Sequence, residues 1–315
     1  MKKTIIQLTP IPPYDFDLVA AYATYFQGRY AADHFQDGVY RRLLEVRGRL
    51  CLVKVRSIGS IDAPSLEVAL ECNVLSKKVV SEARIQVARL LGTEQELEPF
   101  YRMTLKDPVL NSIVKEFRGL HIPQTLSLWE GLVLAILGQQ VSSHVARIMR
   151  NGLVESYGLA MKESGETYRI FPRPEAVVEA GLEELYAIKL SKRKARYIFD
   201  IAAALASQER DLDSLRSLPD EEVVLKLTEI RGVGPWTAHW LLIRGLGRPD
   251  AFPHGDLALR RTMGRLFNNG SIFQPEEALD YSYRWSPFRS YVTTYLFAAI
   301  RSTAASEKIS PNVHT

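Results

Sequence analysis

The chain has 315 residues, 46% hydrophobic and 24% charged, with a formal net charge of +4. That length suits about two domains, the apolar fraction supports a packed core rather than disorder, and the mild basic excess is compatible with nucleic acid without singling it out. Two cysteines, Cys51 and Cys72, exclude a disulfide scaffold and a four-cysteine iron–sulfur cluster.

In chain order, residues 4–9 read as a strand, interrupted by Pro10, Pro12 and Pro13. Lys2 and Lys3 precede only a short apolar run, so no signal peptide is read. Asp15 caps a helix expected over 16–27. Three strands follow at 39–46, 49–58 and 66–73, with Arg47-Gly48 as a turn between the first two. Ser76 opens an amphipathic helix reaching about residue 91. Residues 1–92 are therefore expected to form an α+β unit with a mainly antiparallel sheet.

From Gln95 onward the pattern is helical. Helices are expected at 95–103, 107–116, 126–138, 142–157, 174–187, 191–207, 219–230, 235–245, 256–267 and 275–303. The first can instead begin at Pro99, and the last is expected to break near Pro287. Pro172 and Pro174 mark one linker, Arg248 and Pro249 another. The polar tail after Ser306 is expected to fray. Residues 93–315 are thus expected to be a larger, all-helical region. No apolar stretch is long enough to cross a bilayer, and the expectation is a soluble, cytoplasmic chain with no membrane partner.

The most specific stretch is Leu227-Thr-Glu-Ile-Arg-Gly-Val-Gly-Pro-Trp-Thr-Ala238, followed by Phe252-Pro-His-Gly-Asp256. Gly232 and Gly234 permit a tight turn and close backbone approach to a phosphate. Pro235 suits a first helical position, and the helix N-terminus offers unpaired N–H groups to an anion. Together they form a candidate helix-hairpin-helix at about 219–247 that grips a nucleic-acid backbone without reading its sequence. A glycine-rich connection between two core helices has the same local pattern. Asp256, in a loop at 250–257, is either a helix cap alone or a cap that also presents a carboxylate to a ligand. Trp236 and Trp240, one helical turn apart, are either core or pocket residues.

Metal and nucleotide sites have little support: no Cys/His ligand spacing and no phosphate-binding P-loop is present. The cluster Lys189, Lys192, Arg193, Lys194 and Arg196 reads either as a phosphate contact or as a solvated helix face.

In order and spacing, several segments carry a family likeness: Pro12-Pro-Tyr-Asp15, Ala135-Ile-Leu-Gly-Gln-Gln-Val-Ser142, the hairpin, the Asp256 loop and Trp285-Ser-Pro-Phe-Arg-Ser-Tyr291. Over nearly its whole length the chain resembles the AlkA-type DNA-3-methyladenine glycosylases (type II) of the helix-hairpin-helix DNA glycosylase superfamily. The resemblance implies an N-terminal sheet domain followed by two helical subdomains flanking a cleft. It implies Asp256 as the catalytic aspartate and Trp236, Trp240, Tyr22 and Phe297 as aromatic pocket residues. Gln140 stands where some relatives insert an apolar wedge into the duplex. Gly232, Gly234, Thr237 and Gln139 are expected at the DNA backbone. Arg289 is expected to hold the Asp256 loop or a phosphate, or to form a structural ion pair. Relatives often bind a monovalent cation through hairpin carbonyls; no side-chain metal ligands and no other cofactor are expected. The implied partner is damaged double-stranded DNA, and the implied state a monomer.

The chemistry follows from the implied roles. A base must leave the duplex to reach a carboxylate. Alkylation at a ring nitrogen makes the base cationic and a good leaving group. An ionised Asp256 then stabilises the positive charge developing on the sugar, and aromatic faces attract a cationic base by about 0.5–2 kcal/mol. Bifunctional members carry a lysine two residues after the second hairpin glycine. This chain has Trp236 there, so a Schiff-base lyase step by that route is not expected. The leading expectation is a monofunctional glycosylase releasing alkylated purines such as 3-methyladenine and 7-methylguanine. A monofunctional glycosylase for oxidised or deaminated bases and a non-enzymatic damage sensor remain as alternatives.

Overall fold

The computed structural model describes residues 1–309, with side chains through Ser302. It opens with strand β1 (Lys2–Leu8) and helix α1 (Phe16–Ala23), capped by Asp15, whose side chain accepts the Leu18 N–H. Helix α1 ends four residues earlier than the pattern predicts. Tyr25 and Phe26 take φ of 55° and 56°, which no helix continues through, and the chain turns into two short strands absent from the sequence reading, β2 (Arg29–Tyr30) and β3 (Asp33–Gln36). Strands β4 (Val39–Val46), β5 (Arg49–Ser57) and β6 (Leu66–Cys72) follow as expected. The six strands form one antiparallel sheet in the order β1-β6-β5-β4-β3-β2. Helix α2 (Lys77–Leu90), capped by Ser76, packs against β1 and β4.

Alternation along the strands sends residues to opposite faces. Leu44, Val46, Cys51, Val53, Val55, Val68 and Leu70 join the main core, whereas Leu43 and Leu52 point the other way.

Helices α3 (Glu98–Thr104), α4 (Pro108–Glu116), α5 (Leu128–Gly138) and α6 (Ser143–Tyr157) come next. Helix α5 is apolar on all sides and buried almost throughout, the pattern of a central core helix. Its one charged residue, Glu130, meets Arg42 of β4 in a buried pair. Arg42 Nη2 donates to both Glu130 oxygens at 2.7 and 2.8 Å, and its Nη1 donates to Asp33 at 2.8 Å. The sheet and the central helix are therefore joined by a charged network as well as by apolar packing.

After α6 the structure adds an element the sequence reading lacks. Strands β7 (Ala160–Glu163) and β8 (Glu166–Arg169) form a hairpin, so the region after residue 93 is predominantly but not wholly helical. The strands are short and polar. Tyr168 and the following Ile170 bury against Leu43 and Leu52, covering the outer face of the sheet.

The helix expected at 174–187 is two helices, α7 (Pro174–Ala180) and α8 (Leu182–Ala187), divided by Gly181 at φ 84°. Helices α9 (Lys192–Ala206), α10 (Asp220–Thr228), α11 (Pro235–Arg244) and α12 (Leu257–Phe267) match expectation within a few residues. The final stretch divides into α13 (Pro275–Ser282), a 3₁₀ turn at Tyr283–Trp285 and α14 (Arg289–Ile309), with the break at Ser286-Pro287 as expected. Helix α14 runs past residue 303, and the tail beyond it lies outside the described residues. Among the described residues no helix is long and apolar enough to cross a membrane.

Candidate active site

The connection between α10 and α11 is the hairpin read from the sequence. The backbone turns at Gly232, with φ +92°, and a Cβ there would stand 2.2 Å from the Tyr197 ring of α9. Both the backbone conformation and the close approach of the ring require glycine. Gly234 caps α11 and Pro235 occupies its first turn, leaving the helix N-terminus open toward a cleft of about 1030 Å³.

A second turn, between α5 and α6, faces the hairpin across this cleft. Gln139 ends α5 and points inward. Its Nε2 donates to the Gly232 carbonyl and to Thr237 Oγ1, each at 2.9 Å. Gln140 takes φ 53° and projects outward, its Oε1 accepting from Arg193 Nη2 at 3.1 Å. Buried cations close the end of α5. Arg150 Nε donates to Leu134 O at 3.0 Å, and Lys194 Nζ donates to Leu137 O and Gln139 O at 2.9 and 2.7 Å. Cations are favourable at a helix C-terminus. Burial nevertheless lowers the Lys194 ammonium to about 8, with Arg150 and Arg193 adding to the effect. Lys194 is thus a clamp inside the fold, not a phosphate ligand. Arg196 is paired with Asp200.

Asp256 caps α12 from the third wall. Its Oδ1 accepts the Leu259 N–H at 2.9 Å, and its Oδ2 accepts the Trp236 indole N–H at 2.8 Å. Both oxygens are oriented, yet the residue remains partly exposed in the cleft. The loop carrying it is anchored at its start. Asp250 Oδ1 accepts from Arg289 Nε and backbone N at 2.9 and 3.1 Å, and Oδ2 accepts from Arg289 Nη2 at 2.8 Å and Ser286 Oγ at 2.7 Å. Burial raises the Asp250 carboxyl, but the bonds from Arg289 and Ser286 and the Arg289 charge outweigh it, leaving it below the ordinary value.

Asp256, Trp236, Phe297, Gln139, Gln140, Thr237 and Gly234 line one cleft. Gly232 lies just behind its wall, held by Gln139. Thr237, only 1% exposed, is tied to Gln139 and positions the turn. Arg289 forms an ion pair with Asp250 at the start of the Asp256 loop, which fits two of its expected roles, a structural ion pair and a hold on that loop. Tyr22 and Trp240 do not line the cleft. Tyr22 is 2% exposed, and the Arg244 guanidinium sits 5.5 Å from the Tyr22 ring and 5.9 Å from the Trp240 ring. The early end of α1 explains the difference: the turn at Tyr25 and Phe26 carries Tyr25 into the cleft in place of Tyr22.

The cleft also contains residues that sequence reading missed. Tyr25 stacks on Tyr30, with centroids 4.0 Å apart and rings inclined by 17°. Arg301 lies over Tyr25 at 3.9 Å and over Phe297 at 5.0 Å. Arg147 adds charge to the lining. A signal for Arg301 existed: it lies four residues after Phe297 and so on the same helix face. Tyr25 and Tyr30 had none, because their turn breaks the helical period.

Among the described residues no group of His, Cys, Asp and Glu is arranged to hold a metal ion. A cation at the hairpin would depend on backbone carbonyls. Those of Ile230 and Gly232 each accept one hydrogen bond, from Val233 N and Gln139 Nε2, at 2.9 Å, and a carbonyl oxygen carries a second lone pair.

The arrangement combines an anion-accepting helix terminus, a fixed carboxylate, aromatic surface and a cleft large enough for a nucleoside. The HhH-GPD superfamily of base excision DNA repair proteins matches residues 133–287. A DNA-3-methyladenine glycosylase of Bacillus subtilis is 33% identical over 207 residues, covering 66% of this chain and 68% of its own length. Among solved structures, the 3-methyladenine DNA-glycosylase of Archaeoglobus fulgidus is similar with a TM-score of 0.82 and 28% identity, covering 94% of this chain and 98% of the other. The Schizosaccharomyces pombe 3-methyladenine DNA glycosylase bound to abasic DNA is similar with a TM-score of 0.54 and 25% identity, over 68% of this chain and 98% of the other.

Proposed function

We propose a mechanism from the premise that the chain belongs to the HhH-GPD superfamily, among its AlkA-type DNA-3-methyladenine glycosylases. It is a DNA-binding N-glycosylase of base excision repair that acts on alkylated bases. In the proposed mechanism the N-terminus of α11, with Gly234, holds a backbone phosphate of damaged duplex DNA. The turn at Gln140 enters the space the damaged nucleotide vacates, and the extruded base enters the cleft.

The C1′–N bond then breaks, and its electron pair leaves with the base. A base alkylated at a ring nitrogen departs neutral. The sugar becomes oxocarbenium-like, and the Asp256 carboxylate, fixed by Trp236 and Leu259, stabilises that charge. Water adds to C1′ and gives up one proton, leaving an abasic site. Among the described residues lining the cleft there is no lysine, so the reaction is monofunctional: no Schiff base forms and no strand is cut. The protein works as a cytoplasmic monomer.

The observation that carries this reading is the pair of hydrogen bonds aiming the partly exposed Asp256 into the cleft beside the hairpin. The test is release of 3-methyladenine and 7-methylguanine from methylated duplex DNA. Strand breaks should appear only after heat or alkali. A direct nick by the purified protein would refute the monofunctional mechanism.

A further inference from the structure

The first turn of α9 holds two consecutive residues of the turn between α5 and α6. Arg193 Nη2 donates to Gln140 Oε1 at 3.1 Å, and Lys194 Nζ donates to the carbonyls of Leu137 and Gln139 at 2.9 and 2.7 Å. Gln139 passes the contact on: its side chain donates to Gly232 O and Thr237 Oγ1, each at 2.9 Å. One helical turn further along α9, the Tyr197 ring lies against Gly232. One helix thus sets the hairpin and the turn bearing Gln140 against each other, and Lys194 brings to this arrangement a charge that can be lost.

Lys194 is 7% exposed and does not line the cleft. Its charged neighbours are both cations, Arg150 from α6 and Arg193 beside it on α9, and no carboxylate pairs with it among the described residues. The ammonium is therefore balanced by carbonyl oxygens alone, at the negative end of the α5 dipole. Burial, with Arg150 and Arg193 adding to it, lowers the group to about 8. Loss of the proton leaves an amine that still donates. A charge-assisted hydrogen bond is roughly twice as strong as a neutral one, so the hold on Leu137 O and Gln139 O weakens.

We propose that Lys194 is a positioning residue for DNA binding, whose ammonium holds Gln139, and through it the hairpin, in the geometry that grips the duplex. The proposal rests on the reading that the hairpin holds the DNA backbone. It concerns the grip, whereas Asp256 serves the chemistry. Its signature is a coupling of affinity to protonation. Duplex phosphates favour the ammonium, so binding takes up a proton. Affinity then falls as pH rises through the value of the free protein, by at most about tenfold per pH unit for one proton. The linkage to folding has the opposite sign. A lysine lowered by the fold keeps its proton to higher pH in the unfolded chain, so its contribution to stability rises over the same range. A general loosening of the structure would lower affinity and stability together, whereas loss of this clamp lowers affinity alone.

The test is affinity for a duplex with an abasic analogue, by fluorescence anisotropy, from one pH unit below to one above the value of about 8. Ionic strength is held fixed, because backbone contacts are salt-dependent. The wild-type chain should weaken by about threefold to tenfold across the range, the scale of exchanging a charge-assisted hydrogen bond for a neutral one. Lys194→Arg, which stays protonated throughout, should give a flat profile. Gln139→Ala keeps Lys194 but cuts its route to the hairpin. It should bind more weakly at the lower pH and lose the wild-type slope. Thermal melts of the wild type, referred to Lys194→Arg, should hold or rise with pH. Should Lys194→Arg fail to fold, the wild-type and Gln139→Ala profiles decide. A wild-type affinity indifferent to pH, an equal fall in Lys194→Arg, a slope preserved in Gln139→Ala, or a melt that falls with affinity would each overturn the assignment while leaving the hairpin reading in place. No binding by the wild-type chain at any pH would overturn the hairpin reading itself.

Discussion

The indole N–H of Trp236 donates to Oδ2 of Asp256 across 2.8 Å, joining the first turn of α11 to the cap of α12. The helix start proposed to hold the DNA backbone thereby sets the orientation of the carboxylate, so the proposed grip and chemistry share one rigid element. Trp236→Phe keeps the ring and removes the donor. Single-turnover base release should fall by about tenfold to a hundredfold, as expected for losing a hydrogen bond to a charged acceptor. Affinity for abasic duplex should change little. An unaltered release rate would mean that Leu259 alone suffices to aim Asp256.

Gly232→Ala meets two obstacles: a left-handed φ of +92° and the Tyr197 ring 2.2 Å from the new Cβ. Distorting the hairpin should weaken binding to damaged and undamaged duplex alike, because backbone contacts carry no base information. Adding Tyr197→Ala removes the clash but not the backbone strain, which costs on the order of 1–3 kcal/mol. Affinity measured by fluorescence anisotropy should therefore recover only in part. Full recovery would place the whole role of Gly232 in its contact with Tyr197.

Arg42 bridges Asp33 and Glu130 while itself almost fully buried, with 1% of its side chain exposed. Removing one member of a buried ion network leaves uncompensated charge. Arg42→Met should lower unfolding stability in urea by about 3–5 kcal/mol. A loss under about 1 kcal/mol would show that the network only offsets its own desolvation.

Asp250 gives a pH-dependent prediction. Its carboxyl is lowered in the folded protein, so its contribution to stability is present above the unfolded carboxylate value of about 3.9. That contribution fades as pH falls through the lower folded value. Asp250→Asn should therefore be less stable than wild type at neutral pH by an amount constant down to about pH 5. The gap should then close as the medium is acidified below the unfolded carboxylate value. Thermal melts across this range would measure it. A gap that widens on acidification would reverse the assigned direction.

Where local chemistry decides structure, the sequence was legible. Strands β4, β5 and β6 follow from period-two alternation, and most helix starts from capping residues such as Asp15, Ser76 and Asp256. The hairpin and its carboxylate were legible for the same reason, since glycine, proline and an acidic cap act locally. The turn after α1 was not. Tyr25, Phe26 and Ala31 adopt positive φ, a conformation unfavourable to them locally and held by the surrounding structure. Strands β7 and β8 were missed because Tyr168 and Ile170 only acquire a buried face once Leu43 and Leu52 are in place. The aromatic and arginine wall of the cleft was missed for a related reason: Tyr25, Arg147 and Arg301 come from three distant segments, and only Arg301, four residues after Phe297, had a spacing that pointed to it.

The carboxylate of Asp256 is the centre of the proposed chemistry, and Asp256→Asn isolates its charge while leaving a side chain able to cap α12. The decisive measurement is single-turnover release of 7-methylguanine from duplex DNA by wild type and Asp256→Asn, together with their affinities for abasic duplex. Release should slow by about a hundredfold or more, the scale of losing one electrostatic stabiliser of a transition state, with affinity largely retained. An unchanged release rate in the variant would contradict a role for Asp256 in stabilising the sugar cation.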